Sequence, residues 1–288
     1  MTGVIGVYHG TFGRVALFRT NQPVHEHAHP HVHALLKVEG KDGVYDVAGS
    51  ACPITDSKMV LVNPWVPHAN WRDVEDAPIT ILALYLESGW LARDGQLVRR
   101  PFKRPSGTVG PPVRSLVAKM ANLIAAADPT TNEEMEVDIF KLSQHVLNDN
   151  ADIGLAPLSM RPVDYRVRRA VNLMRSDPTR PHRIDEVAHS VGLSRSRFFQ
   201  QFREGMGMSP GVYSDTLRVE YAIDALIRTD RPAGDIALDL GFSAPGHFSR
   251  FFKEKIGFAP QDYRRVAHHL SRHGAGAMIA PGNAASSH

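Results

Sequence analysis

One stretch of eight residues occurs twice in this chain, and the repeat limits what the last third can be. Val187-Ala-His-Ser-Val-Gly-Leu-Ser194 returns 49 residues later as Ile236-Ala-Leu-Asp-Leu-Gly-Phe-Ser243. One inserted residue then moves the offset to 50, and the match continues. Phe198 and Phe202 align with Phe248 and Phe252, Arg203 with Lys253, and Gly207 with Gly257. Ser209-Pro210 aligns with Ala259-Pro260, and Tyr213 with Tyr263. Self-similarity over a short period marks a repeated supersecondary unit.

Each copy reads as helix, glycine turn and helix. Gly192 or Gly241 can take the left-handed conformation that a sharp turn needs. Leu193 or Phe242 then plugs the junction, and Ser194 or Ser243 is suited to cap the next helix. In that helix the two phenylalanines lie four apart and face inward, which leaves the other side polar. Those are the parts of a nucleic-acid-reading helix-turn-helix. The exposed face of the first copy holds Arg195, Ser196, Arg197, Gln200 and Arg203. The second holds Gly246, His247, Ser249, Arg250 and Lys253. Arg suits guanine O6 and N7, and Gln suits adenine. Unlike faces imply two different half-sites on double-stranded DNA. A helix from Gly211 to about Arg228 would join the units; eighteen residues span about 27 Å. Recognition faces on one side of a duplex repeat at about 34 Å.

Charge agrees with a polyanion at one end. Residues 161–273 carry 19 Lys and Arg against 13 Asp and Glu, and the rest carries 14 against 17. In the basic part every cation except Lys253 and Lys255 is arginine, whose forked donors match phosphate and guanine edges. The chain of 288 residues suits two domains. No apolar run approaches the roughly 18 residues that span a bilayer, and residues 1–8 lack the basic start of a secretory signal. Cys52 is the single cysteine, so no internal disulfide or multi-cysteine zinc module forms. A cytoplasmic location without membrane contact is expected.

The first third reads as β. Short runs at Arg14–Arg19, His33–Val38, Val44–Val47, Met59–Val62 and Thr80–Leu86 are separated by Gly and Pro turns, as in a sandwich or small barrel. Arg99–Pro112 looks like a connector. Leu116, Met120, Leu123 and Ala127 predict one amphipathic helix, and Met135, Ile139, Leu142 and Val146 a second. These helices either cover the β core or form the seam of a homodimer. The fold class is therefore α+β multidomain: an N-terminal β-barrel, helices, and an all-α double helix-turn-helix domain. The expected boundaries are 1–110, a helical and dimerising segment 111–148, a linker 149–163, the helix-turn-helix domain 164–267, and a disordered tail 268–288.

A second unusual feature is His25, His27, His29, His31 and His33, which alternate with other residues and would share one face of a strand. His68 follows in Asn63-Pro-Trp-Val-Pro-His68.

The C-terminal pattern resembles the AraC/XylS family of transcription regulators from Tyr165 to about Arg265. The resemblance is strongest at Arg218-Val-Glu-Tyr-Ala-Ile-Asp-Ala-Leu226, Ile236-Ala, Gly241-Phe242, His247-Phe-Ser-Arg-Phe-Phe-Lys253 and Gly257-Phe-Ala-Pro260. It implies a seven-helix domain that places two recognition helices in adjacent major grooves, an activator role, and contact with RNA polymerase. By position it implies base-facing roles for Ser196, Phe199 and Gln200, and for Pro245, Gly246 and Arg250. Phe199 departs from the polar residue often found there, and Pro245 offers no backbone donor. Residues 10–88 resemble the cupin barrel that precedes this domain in many such regulators: His27-Ala-His29-Pro30, His33 at the acidic position, Glu39-Gly40, and Asn63-Pro64 through His68. That resemblance implies a divalent metal, Zn, Fe or Ni, on His27, His29, His33 and His68, or a metal-free effector pocket. His25 and His31 match no motif position.

The expected pocket joins these histidines with Trp65, Trp71 and Tyr85 and would take a small polar or anionic effector. Anion affinity would then rise as pH falls towards 6. The chain is expected not to be an enzyme. Two alternatives are a metal-dependent cupin enzyme fused to a DNA-binding domain, and DNA alkyl-transfer repair. The latter needs a cysteine cluster that Cys52 alone cannot supply.

Overall fold

A computed structural model describes residues 3–70, 77–91, 101–150, 164–179 and 182–269. The strand β9 (Ile79–Leu86) reads Ile-Thr-Ile-Leu-Ala-Leu-Tyr-Leu. A run this apolar suits a strand covered on both faces. It lies in the middle of a seven-stranded sheet, between β4 (Val32–Gly40) and β2 (Gly13–Thr20). Beyond β4 come β7 (Lys58–Val62) and β10 (Ser106–Thr108). Beyond β2 come β1 (Gly3–Gly10) and β11 (Ala267–His269). A four-stranded sheet has the order β3 (Val24–His27), β8 (His68–Asn70), β5 (Gly43–Val47) and β6 (Ser50–Ile54).

Alternation along the strands splits the apolar residues between two cores. Ala34, Leu36, Leu82 and Leu84 pack against α1 (Pro111–Ala126) and α2 (Asn132–Asn150). Leu35, Ile81 and Ala83 pack with Tyr45, Val47 and Ile54 of the smaller sheet and with C-terminal helices. In α2 the buried stripe is Met135, Ile139, Leu142 and Val146, as the periodicity predicts. In α1 it is Val113, Val117, Met120, Ala121 and Ile124. Leu116 and Leu123 are only half-buried and Ala127 is exposed. Two apolar stripes pass through Met120, and the one starting at Val113 meets the sheet. Both helices thus cover the β core. Val137 and Phe140 remain exposed on α2.

The C-terminal domain has seven helices among the described residues: α3 (Tyr165–Ser176), α4 (Ile184–Ser190), α5 (Arg195–Met206), α6 (Pro210–Arg228), α7 (Ala233–Asp239), α8 (Pro245–Ile256) and α9 (Pro260–Arg265). Gly192 at φ +72° and Gly241 at φ +70° make the two sharp turns. Ser194 caps α5 by accepting from the Arg197 N–H at 3.4 Å. Ser243 does not cap α8, contrary to the repeat alignment: the inserted residue makes Ala244 the cap and Pro245 the first helical residue. The Ser243 hydroxyl instead bonds His247 Nδ1 at 3.1 Å.

The domain is docked on the sheets. α6 contributes Val219, Ala222, Ile223 and Leu226 to the core that holds Val7 and Phe18. Arg14 makes a two-pronged ion pair with Glu220 at 3.0 and 3.2 Å, and its guanidinium lies 4.2 Å over the Tyr85 ring. Burial alone would raise the Glu220 carboxyl, but Arg14 outweighs it and holds the group below its ordinary pKa. Residues 268–269, expected in the tail, pair with β1 instead, in parallel. Residues 270–288 of that tail and 151–163 of the linker lie outside the described residues. No helix among the described residues is long and apolar enough to cross a membrane.

Removing one partner of a buried pair strands the other charge, at a cost of about 3 kcal/mol. Glu220→Gln should therefore lower the thermal midpoint by several degrees in a calorimetric scan. A midpoint within one degree of the parent would show that the pair does not tie the domains.

Candidate nucleic-acid interface and the pocket behind it

The second helices of the two helix-turn-helix units, α5 and α8, are built alike. Phe198 and Phe202 of α5, and Phe248 and Phe252 of α8, are fully buried, so the opposite sides face solvent. On α5, Arg195, Ser196, Arg197, Gln200 and Arg203 are exposed. Phe199 is half-buried, with the Arg195 guanidinium 5.2 Å over its ring. Arg195 pairs with Asp185 at 2.5 Å, and Arg197 donates to Gln200 at 3.1 Å. Gln200 in turn donates to Glu204 at 2.9 Å. On α8, Pro245, Gly246, His247, Arg250 and Lys253 are exposed and Ser249 is half-buried.

Two arginines outside the reading faces hold the units in shape. Arg218 lies 4.2 Å over Phe242 and 4.9 Å over Phe251, and donates to the Leu240 carbonyl at 2.9 Å. It pins the turn of the second unit. Arg175 donates to the Tyr213 hydroxyl at 2.7 Å in the first. Arg218 stands in a family motif, but only the fold shows that it serves the turn.

The histidine run is not one strand. β3 ends at His27, and β4 begins at Val32. Pro30 lacks an N–H, and the carbonyls of Ala28 and His29 are taken by Thr216 and Trp65. His25 is exposed, and His31 turns away to meet Glu87 at 3.0 Å. Three histidines converge: ring centroids are 4.2 Å apart for His27 and His68, 4.9 Å for His29 and His68, and 6.0 Å for His27 and His29. One nitrogen from each lies within 4.8 Å of the others. His33 stands beside this trio but not in it. Its Nδ1 bonds the Leu84 carbonyl at 2.8 Å, and its ring stacks on Tyr85 at 4.1 Å.

The trio is set up for ligation. His27 Nδ1 donates to the His25 carbonyl at 2.9 Å, and His68 Nδ1 to the Val66 carbonyl at 3.0 Å. Such bonds fix the tautomer and leave Nε2 as the free lone pair. His68 Nε2 and both ring nitrogens of His29 are buried without a partner among the described residues. Unpartnered buried nitrogens converging on one point fit a divalent ion of borderline softness.

Around the trio lies a cavity of about 70 Å³, room for a handful of waters. Val7, Phe18 and Leu35 of the sheets wall it, with Val219, Ile223 and Ile256 of the helical domain. Tyr85 lines it. Trp65 does not. It is packed on Tyr213 at 4.8 Å, with φ at +63°. Trp71 lies outside the described residues.

Burial pushes the pKa of His27 and His29 well below the ordinary imidazole value, and that of His33 and His68 down to about 3. Imidazoles held this low are neutral near pH 6 and offer an anion no positive charge there. The unfolded chain protonates them near pH 6.5. Below that pH the unfolded state binds more protons, so stability falls as pH drops from about 6.5 towards 3. The thermal midpoint should decline steadily between pH 6 and 4. A flat midpoint over that range would contradict the buried neutral state.

Residues 187–266 match the family model described as a helix-turn-helix domain. The transcriptional activator RhaR of Klebsiella pneumoniae is 34% identical over 87 residues, which cover 30% of this chain and 31% of that protein. The lactose operon transcription activator of Staphylococcus xylosus is 28% identical over 109 residues, 38% of each. The chain spans only 34% to 40% of the length of the first of these curated relatives. Unsaturated fatty acid-bound ToxT of Vibrio cholerae superposes with a TM-score of 0.50 at 17% identity, over 88% of this chain and 94% of that one. That likeness shows the fold, a sheet-rich region followed by helices and a helical C-terminal domain. Residues 187–266 thus carry a helix-turn-helix domain, and over that stretch the chain is similar to transcription activators.

Proposed function

We propose that the chain is a sequence-specific DNA-binding transcription regulator, an activator, controlled by a small effector in the histidine pocket. The observation that carries this reading is the pair of helix-turn-helix units, each with a phenylalanine core and a polar face, joined by the 19-residue α6. Both units would read one duplex, in adjacent major grooves. Arg195, Ser196, Arg197, Phe199, Gln200 and Arg203 form the first face. Pro245, Gly246, His247, Ser249, Arg250 and Lys253 form the second. Arg250 has no ionic partner among the described residues and is a free fork for a guanine, whereas Arg195 is already tied to Asp185. RNA polymerase and a second copy of the chain are the expected protein partners, and the location is cytoplasmic.

The pocket's effector is small. A cavity of about 70 Å³ with three converging imidazoles suits a metal ion with its waters. When bound, the ion would supply a positive centre and take one nitrogen each from His27, His29 and His68, those of His29 and His68 being otherwise buried without a partner. The imidazole trio also favours a second reading, a metal-dependent enzyme of the cupin kind. Its pocket, however, is walled by the DNA-binding domain and has little room for a substrate. Elemental analysis and a turnover screen of the metal-loaded protein decide between them. Bound metal without turnover supports the sensor.

Selection from a random duplex library gives the operator and makes three outcomes measurable. Arg250→Ala should lower specific affinity at least about fivefold with an unchanged circular dichroism spectrum, in line with roughly 1–3 kcal/mol for an arginine–guanine pair. Gln200→Ala should relax preference at one half-site only. Affinity should fall steeply with salt as counterions leave. If both variants bind the operator like the parent, these are not the reading faces.

A further inference from the structure

The segment Val24–His29 joins the sheets in sequence but touches both reading units. β3 packs against α8 and α6. The next residue, Ala28, is 3% exposed and sits in the core of the first unit with Phe198, Phe202 and Tyr213. Its carbonyl accepts from the Thr216 hydroxyl of α6 at 2.7 Å. The following carbonyl, of His29, accepts from the Trp65 N–H at 2.8 Å, and Trp65 lies on Tyr213. The flanking residues His27 and His29 line the pocket, and Ala28 and Thr216 stand in its wall between the pocket and the first unit. The atoms that would gather around an ion and the alanine buried in the first unit thus share one short piece of chain.

We propose that Ala28 is the coupling residue of this protein: an ion gathered by His27, His29 and His68 holds Ala28 in the first reading unit and tightens that unit's seat beside the second. The inference rests on the pocket as an ion site. Without the ion, His29 keeps both ring nitrogens unpartnered, and residues 27–29 are held by the two backbone carbonyl bonds and the packing of Ala28. With it, the rings are drawn to one centre and the intervening residue loses its freedom. A contact that exists only in the seated state is strengthened by whatever favours that state. The same linkage requires DNA that needs the seated arrangement to raise the ion's affinity. Thr216 is a positioning residue here, since its hydroxyl ties the Ala28 carbonyl to α6.

The test uses the full chain. Co²⁺ is the optical probe of nitrogen ligation, and Zn²⁺ the probe for hydrogen exchange followed by mass spectrometry. Saturating Zn²⁺ should slow amide exchange at least threefold across residues 195–217. Thr216→Val keeps the imidazoles and should keep the Co²⁺ bands while losing that slowing. Bound Zn²⁺ with slowing confined to residues 24–70 in the parent would overturn the coupling and leave the ion site standing. Equal slowing of 195–217 in parent and Thr216→Val would overturn the route through Ala28. Absence of Co²⁺ bands in the parent would remove the ion site, and the coupling with it.

Discussion

A sheet that is apolar on both faces has to be covered twice. The usual alternation of apolar and polar residues is absent from β9, where Ile81 and Ala83 face one way and Leu82 and Leu84 the other, all fully buried. On one side α1 and α2 supply the cover. On the other the smaller sheet covers only part, and α6 with its neighbours covers the remainder. The helical domain is thus part of the sheet's own core. At roughly 25 cal/mol per Å² of apolar surface, detaching it would be costly even before the Arg14–Glu220 pair is broken.

The repeat has a structural echo at this contact. Tyr213 and Tyr263 occupy equivalent positions in the two units, and each receives a ring from the N-terminal region. Tyr213 meets Trp65 at 4.8 Å, and Tyr263 meets His9 at 6.0 Å with its hydroxyl 3.3 Å from the imidazole. The N-terminal region therefore grips both reading units by the same handle. A change in the N-terminal region that moves one handle relative to the other changes the separation of α5 and α8.

Much of this is legible in the sequence because it is local. Glycine turns, paired phenylalanines and apolar runs specify the helix-turn-helix units and the long strands through propensity and periodicity. What escapes such reading is decided by distant partners. The short strands β3, β8 and β11 exist by pairing, not by pattern. Arg14 and Glu220 are 206 positions apart. Trp65 reads as a pocket residue until Tyr213 claims it. Some departures carry a readable signal: Pro30 breaks the histidine strand, and Pro245 marks the true start of α8 better than Ser243 does. The sequence groups the histidines, but which three converge depends on the pairing of His27 with His68 across β3 and β8.

The parallel pairing of β11 with β1 carries a consequence for how the protein is made. The Val7 N–H bonds the Val266 carbonyl at 2.9 Å, so β1 waits for a partner that follows it by 259 positions in the chain. Until then β1 presents an open strand edge, a template for pairing with another nascent chain. Contacts this far apart in sequence form late and slowly. The C-terminal strand therefore acts as a seal on assembly: truncation just after α9 would leave both reading units intact in sequence, yet expose the edge that a finished molecule hides.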